Sequence, residues 1–226
     1  MVIHVHSKFS PTDAGTIRRH KVAQLSWLSQ PWHEKPFSHT DLPRSWQEGG
    51  RALPYVKDLF HAGCLGEQDS DIIIYTNADT IMRSDAVPQI VNCLQQSEAC
   101  YTYRTDFHHT LFKPPPDADF AKGIPYAGSD LVAFRARWWR KHRHLMPDMI
   151  LSFEAWDAVI RQLVEETNPN TDNRVPGIIA HERHGGASHW ENPANRYTWR
   201  GQLLNLSLAK AFFRQRDIDP ATFAIR

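Results

Sequence analysis

The stretch that most constrains this chain is residues 71–79, Asp71-Ile72-Ile73-Ile74-Tyr75-Thr76-Asn77-Ala78-Asp79. Its apolar run is too short for an ordinary helix and too β-branched to favour one. It shows no polar–apolar alternation, so both faces of the strand must be covered by protein, as in a parallel sheet flanked by helices. In open α/β sheets, ligands settle beyond the carboxyl ends of the strands. Asn77 and Asp79 stand at that end, and period-two geometry turns both side chains the same way. A carboxylate and an amide oxygen placed together suit a hard divalent cation, Mg²⁺ or Mn²⁺, of the kind that carries phosphates. The same residue types also serve as ordinary turn or helix caps.

The rest of the chain alternates strand and helix. Residues 2–6 read as a first strand and 7–13 as a polar loop, and 16–29 carry helical spacing through Ile17, Val22, Leu25 and Leu28. Residues 31–50 contain Pro31, Pro36, Pro43 and Gly49-Gly50 and read as loop. Helices are predicted over 52–65, 85–96, 153–166 and 203–214, with strands over 100–103, 131–134 and 175–180. Between them, residues 106–125 form a long loop around Pro114-Pro115-Pro116, of the kind that serves as a flexible lid or a disordered segment. This order predicts an α/β fold with a largely parallel sheet. A chain of 226 residues fits one such domain, at most with a small appended lobe.

With 26 basic against 25 acidic side chains, no global field draws the chain to nucleic acid or membrane. Cys64, Cys93 and Cys100 lack metal-type spacing, and the first two sit in apolar helical patterns, so reduced thiols and a cytoplasmic setting are expected. No apolar run approaches the ~20 residues that span a bilayer, and residues 1–4 do not open a secretion leader.

Several segments can carry chemistry. His181-Glu182-Arg183-His184 follows the last predicted strand, where an imidazole can reach a cation held by Asp79. The alternative is a solvated polar loop. Glu154 and Asp157 share neighbouring parts of one helical face; a carboxylate there serves as a general base or complements the helix dipole. Asp130, in Gly128-Ser129-Asp130, can bond a sugar hydroxyl or end a turn. Arg135, Arg137, Arg140, Lys141 and Arg143 are interleaved with Trp138 and Trp139, which suits a nucleic-acid backbone or a solvated helix face. His4-Val5-His6, with Ser7, Ser10 and Asp13, is superficially similar to the opening motif of the polymerase-and-histidinol-phosphatase metal phosphoesterases, though no second motif of that family follows.

Taken in order, Arg18-Arg19-His20, Ser26-Trp27, residues 53–58, residues 74–79, Gly128-Ser129-Asp130, residues 154–157 and residues 181–184 give a pattern over about residues 2–210. It resembles the GT-A-type glycosyltransferases, in their small bacterial and phage branch. The resemblance implies a single GT-A-like catalytic domain over 1–226, its mostly parallel central sheet flanked by helices. The nucleotide-binding half would span about 1–105 and the acceptor-side half 106–226. It implies a nucleotide-sugar donor, expected to be a UDP-sugar, and a divalent cation held by Asp79 with His181 or His184. Asn77 stands where the family's Asp-x-Asp motif begins; an amide is a weaker ligand, so Asn77 is expected to face the donor ribose or sugar. Asp157 is the first choice for the base that deprotonates an acceptor hydroxyl, with Glu154 second. Arg19 and Lys57 are candidate nucleotide or phosphate contacts. The competing readings are a phosphoesterase built on His4, His6 and the His181 loop, and a nucleic-acid-binding module, which merges with the first if modified DNA bases are the acceptor.

Overall fold

The computed structural model describes all residues except 8–12, 39–40, 49–50, 152, 154, 170, 184–199 and 224–226. A seven-stranded sheet is built from β1 (Val2–Ser7), β2 (His33–Phe37), β5 (Ile72–Thr76), β6 (Ile81–Met82), β7 (Ala99–Phe107), β8 (Ile124–Arg135) and β9 (Ile179–Glu182). The spatial order is β2-β1-β5-β8-β7-β9-β6. The strands β1, β2, β5, β7 and β9 run one way, while β8 and β6 run against them. A small hairpin, β3 (Ser45–Glu48) with β4 (Arg51–Pro54), stands apart.

The isoleucine run is the centre of this sheet, and all five residues of β5 are buried. Its alternation divides them between two apolar layers. Ile73 and Tyr75 join Val5, Phe134 and Trp139 on the side of α2 (Val56–Cys64), α4 (Ala136–His142) and α5 (Trp156–Thr167), with α6 (Arg200–Arg214) behind. Ile72 and Ile74 join Val22, Trp27, Val87 and Ile90 on the side of α1 (Ala14–Trp27) and α3 (Ala86–Cys93). The double burial inferred from the unbroken β-branched run is thus present. The parallel surroundings are present on one flank only, since β1 is parallel to β5 and β8 antiparallel. No described helix is long and apolar enough to cross a membrane.

Some boundaries differ from those predicted. Residues 51–54 form a strand, and the helix expected over 52–65 begins only at Val56. Pro54 holds Leu53 extended, which delays the helix. β7 continues past Tyr103 to Phe107, and β8 begins at Ile124, well before Leu131. Arg104, Asp106 and the proline-rich surroundings have loop composition, yet the two arginine and aspartate side chains pair within the sheet and let the hairpin extend.

The three cysteines are free thiols. The Cys100 thiol, which hydrogen-bonds Cys93, lowers the Cys93 pKa to about 7, whereas burial pushes Cys64 up to about 12. Iodoacetamide at pH 7.5 is therefore expected to alkylate Cys93 first, because only the thiolate reacts. Peptide mass mapping after brief labelling checks this, and prior labelling of Cys64 would contradict it.

Candidate functional site

The loop that leaves β5 crosses the end of the sheet. Asn77 to Thr80 form a turn, with Thr80 N bonded to Asn77 O at 3.2 Å. The chain then enters β6, which pairs with β9 beyond β8 and β7. This crossing carries Asn77 over β8 and brings Asp79 to β9. It is held from below by α1: the Trp27 indole donates to Thr80 O at 2.9 Å, and Ser26 Oγ accepts from Met82 N at 2.9 Å.

Asp79 and His181 meet at this end of the sheet. His181 Nε2 lies 3.3 Å from Asp79 Oδ2, and its Nδ1 lies 3.5 Å from Asp106 Oδ1. His181 is inside β9, not in the loop after it, and is in register with Asp106 on β7. Burial opposes a charged ring there, but the Asp106 and Asp79 carboxylates outweigh it and push the His181 pKa up to about 9. The Asp79 charge also acts on His20 of α1, where burial nevertheless lowers the imidazole pKa.

Asp106 continues the network. Arg104 Nε stands 2.8 Å from Asp106 Oδ1, and Arg104 Nη1 donates to Asp130 Oδ2 at 2.8 Å. Asp130 Oδ1 accepts from Asn77 Nδ2 at 2.8 Å, and Asn77 Oδ1 accepts from the Tyr75 hydroxyl at 2.8 Å. The strand ends at Thr76, so period-two geometry does not extend to Asn77 and Asp79, and the two side chains part. An amide at position 77 has a physical reason: it donates to Asp130, where a second carboxylate would be repelled.

Asp130 reaches this network through an irregularity in β8. Thr102 pairs with Leu131 but Arg104 pairs with Tyr126, so Tyr103 alone faces residues 127–130. Such a bulge re-aims the residues it contains. It turns Ser129 N toward Asp157 Oδ2, at 3.3 Å. Burial raises the Asp157 pKa, the Ser129 N–H opposes that, and the nearby Asp130 charge adds to it. The preceding residue but one, Ala155, has φ of 78°, a left-handed conformation that costs an L-residue about 1–2 kcal/mol. Such strain clusters at ligand sites.

The remaining candidates divide. Glu154 and His184 lie outside the described residues. Arg19 sits on α1 and donates to Thr16 Oγ1 at 2.7 Å; against burial, Arg18 and the Leu111 N–H hold the Glu182 pKa down, with Arg19 the least of the contributors. Lys57 is drawn into a surface ion network, 3.1 Å from Asp148, with Arg44 bridging Asp148 and Asp58. Among the described residues, no ion pair or hydrogen bond joins it to the Asp79 cluster. The sequence pattern does not single out Arg104 and Asp106, and it contains Glu182 only as part of the 181–184 stretch. Glu182 receives Arg18 and Leu111 N, tying α1, β9 and the segment after β7 together. The available signal was the Arg-x-Asp alternation at 104–106, the spacing of two side chains on one strand face.

Part of the basic stretch is engaged within the fold. Arg135 donates to Leu94 O at 2.6 Å and Arg140 to Cys64 O at 2.9 Å, capping the ends of α3 and α2. Arg137 pairs with Glu98, and Trp138 and Trp139 are buried. His4 stacks on Trp32 at 3.9 Å and bonds Thr76 Oγ1 at 2.7 Å, and its ring is 5.0 Å from that of His6. These histidines are built into an aromatic layer. Among the described residues, no group of three or more His, Cys, Asp or Glu side chains is placed to hold a metal ion.

The donor set at Asp79 and His181 fits a cation that displaces the His181 ring proton and that a ligand helps to coordinate. One carboxylate oxygen and one imidazole nitrogen stand within ligand–ligand distance, and the other ring nitrogen faces a carboxylate, the arrangement that orients metal-binding histidines. Magnesium-type sites commonly use one or two protein groups and take the rest from phosphates and water.

The sheet order, the antiparallel β8 and the loop crossing the sheet end define the GT-A-like fold of nucleotide-sugar transferases. A structure of Staphylococcus aureus TarS, residues 1–349 in complex with UDP-GlcNAc, matches 98% of this chain and 69% of its own, with a TM-score of 0.52 and 9% identity. A 4-diphosphocytidyl-2C-methyl-D-erythritol synthase from Anaerococcus prevotii matches 78% of this chain and 88% of its own (TM-score 0.44, 6% identity). The apo form of the glycosyltransferase GlyE of Streptococcus pneumoniae matches 98% and 61% respectively (TM-score 0.38, 12% identity). No protein-family model matches the sequence, and no curated protein sequence is similar to it.

Proposed function

We propose that this chain is a glycosyltransferase that moves a sugar from a nucleotide-diphosphate donor, expected to be a UDP-sugar, to an acceptor hydroxyl. The observation that carries the proposal is the Asp79–His181–Asp106 alignment at the end of a GT-A-like sheet. Asp79 and His181 would hold Mn²⁺ or Mg²⁺, which when bound neutralises the charge of the departing diphosphate. Asp106 keeps the His181 ring turned so that Nε2 faces Asp79. Asn77 and Asp130, bonded to each other at 2.8 Å, would face the donor ribose or sugar, and Arg19 on α1 would contact donor phosphate. The chain acts as one catalytic domain, with the nucleotide side in about 1–105 and the acceptor side in 106–226.

Asp157 is the proposed base. Its raised pKa moves it toward the range in which a carboxylate accepts a proton effectively. The rate at limiting substrate is therefore expected to rise with pH through an ionisation above the ordinary aspartate range, and Asp157→Asn should remove that limb and cost ~10²–10⁴-fold in transfer. The stability sign is opposite. A carboxyl whose pKa is raised on folding favours the folded state while protonated and disfavours it as pH rises through the folded pKa. Asp157→Asn is accordingly expected to melt higher than the parent at pH 7. If Asp157→Asn turns over at the parental rate and Glu154→Gln does not, the two carboxylates exchange roles.

A thermal-shift screen of nucleoside diphosphates and nucleotide sugars tests the donor assignment. Stabilisation by one nucleotide, greater with Mn²⁺ than without, is the expected outcome. Lack of response to every nucleotide, with phosphate released from simple esters, would instead favour the phosphoesterase.

A further inference from the structure

The face of β7 and β8 that carries Arg104 and Asp106 presents one more side chain that the scheme above does not use. Tyr126 is paired with Arg104 across the two strands, and antiparallel partners project to the same face. The Arg104 guanidinium carbon lies 4.2 Å from the Tyr126 ring centre. That guanidinium is itself fixed by Asp106 and Asp130, each at 2.8 Å. A partly buried cation therefore orients the ring, which remains 51% exposed. Gly128 leaves it room on another side. A Cβ there would stand 2.6 Å from Tyr126 Cε1 and 3.8 Å from Asp157 Oδ2. The ring and the proposed base thus flank one glycine.

We propose that Tyr126 is the platform on which a pyranose ring of the acceptor stacks, beside Asp157. That the stacked sugar is the acceptor rests on the glycosyltransferase reading; the stacking itself does not. A pyranose has an apolar C–H face and a rim of hydroxyls. The exposed aromatic ring covers the first at little entropic cost, because only two side-chain torsions are ordered. A carboxylate, which only accepts hydrogen bonds, receives the second. A phosphate-bearing strand is a poorer occupant, because Arg104 is already committed to two carboxylates and Asp157 adds further negative charge. Ile124, two residues before Tyr126 on the same strand and 57% exposed, leads into an open cavity of about 570 Å³. Asp106, Phe107, Phe112 and Pro115 also line it. That volume is in the range of small-molecule sites and accommodates a further sugar unit.

Saturation-transfer NMR on the full chain, without nucleotide, tests the platform with maltose, lactose, cellobiose and N,N′-diacetylchitobiose. At least one is expected to bind, about tenfold more weakly to Tyr126→Ala and with parental affinity to Tyr126→Phe, as an aromatic contact requires. Gly128→Ala, which displaces the ring without deleting it, is expected to weaken the same sugar. Equal binding by the parent and Tyr126→Ala, or binding of none of the four sugars, overturns the proposal. A parallel thermal-shift titration with UDP and Mn²⁺ keeps the two readings apart. Tyr126-dependent sugar binding without any nucleotide response leaves the platform standing and removes the donor assignment. Nucleotide binding without sugar binding does the reverse.

Discussion

Asp79→Ala is expected to lower sugar transfer by ~10²–10³-fold with Mn²⁺ present, the usual worth of one preorganised electrostatic group at developing charge. The change removes the carboxylate that stands 3.3 Å from His181 Nε2. It leaves the fold in place, because the Asp79 side chain is 29% exposed and the turn that carries it is held by Trp27 and Ser26. Product formed on the acceptor is the measurement to use, since donor hydrolysis proceeds without acceptor. Calorimetry with a nucleoside diphosphate supplies the second readout: Mn²⁺ should strengthen binding to the parent and not to the variant. Full transfer by Asp79→Ala would remove the cation assignment.

Arg104→Met is expected to have the largest effect on stability. Arg104 neutralises Asp106 and Asp130, which are 4% and 6% exposed. Removing the cation leaves Asp130 without its ion partner and Asp106 with His181 alone, 3.5 Å away, and breaking buried ion pairs in this way costs about 3–5 kcal/mol. For a chain of this length that corresponds to a fall in melting temperature of roughly 6–20 °C. Adding Asp106→Asn to Arg104→Met should recover part of the loss, because the groups act as one network and their changes are not additive. Thermal denaturation of the parent, the single variants and the double variant checks both statements. A shift of less than a degree or two for Arg104→Met would show that Asp106 and Asp130 do not depend on it.

The elements most legible in the sequence are those whose burial is uniform. The β5 isoleucines, the amphipathic residues of α5 and the apolar spacing of α2 announced themselves because hydrophobic periodicity records local burial. The meeting of Asp79 with a histidine of the last strand was also anticipated, from the rule that ligands gather at strand ends. The extent of β7 and β8 was not. Arg104, Asp106 and Asp130 are polar because they satisfy one another inside the sheet, and a pattern of single residues does not distinguish a charge paired in a network from one exposed in a loop. The basic residues of 135–143 left two readings open, and the inward-packed Trp138 and Trp139 match the helix-face one. Arg135 and Arg140 among them bond the carbonyls of Leu94 and Cys64, and nothing local reveals those partners.

By itself the chain determined its class, its central strand and the residue types at the end of that strand, since these follow from backbone preference and from which side chains avoid water. Tertiary structure decided which of those residues meet. The turn after Thr76 crosses two strands to reach β9, the bulge at residues 127–130 swings Asp130 and Ser129 toward Asn77 and Asp157, and antiparallel register sets Tyr126 against Arg104. Each of these joins segments tens of residues apart, and their geometry is fixed by strand pairing and packing rather than by any neighbouring side chain.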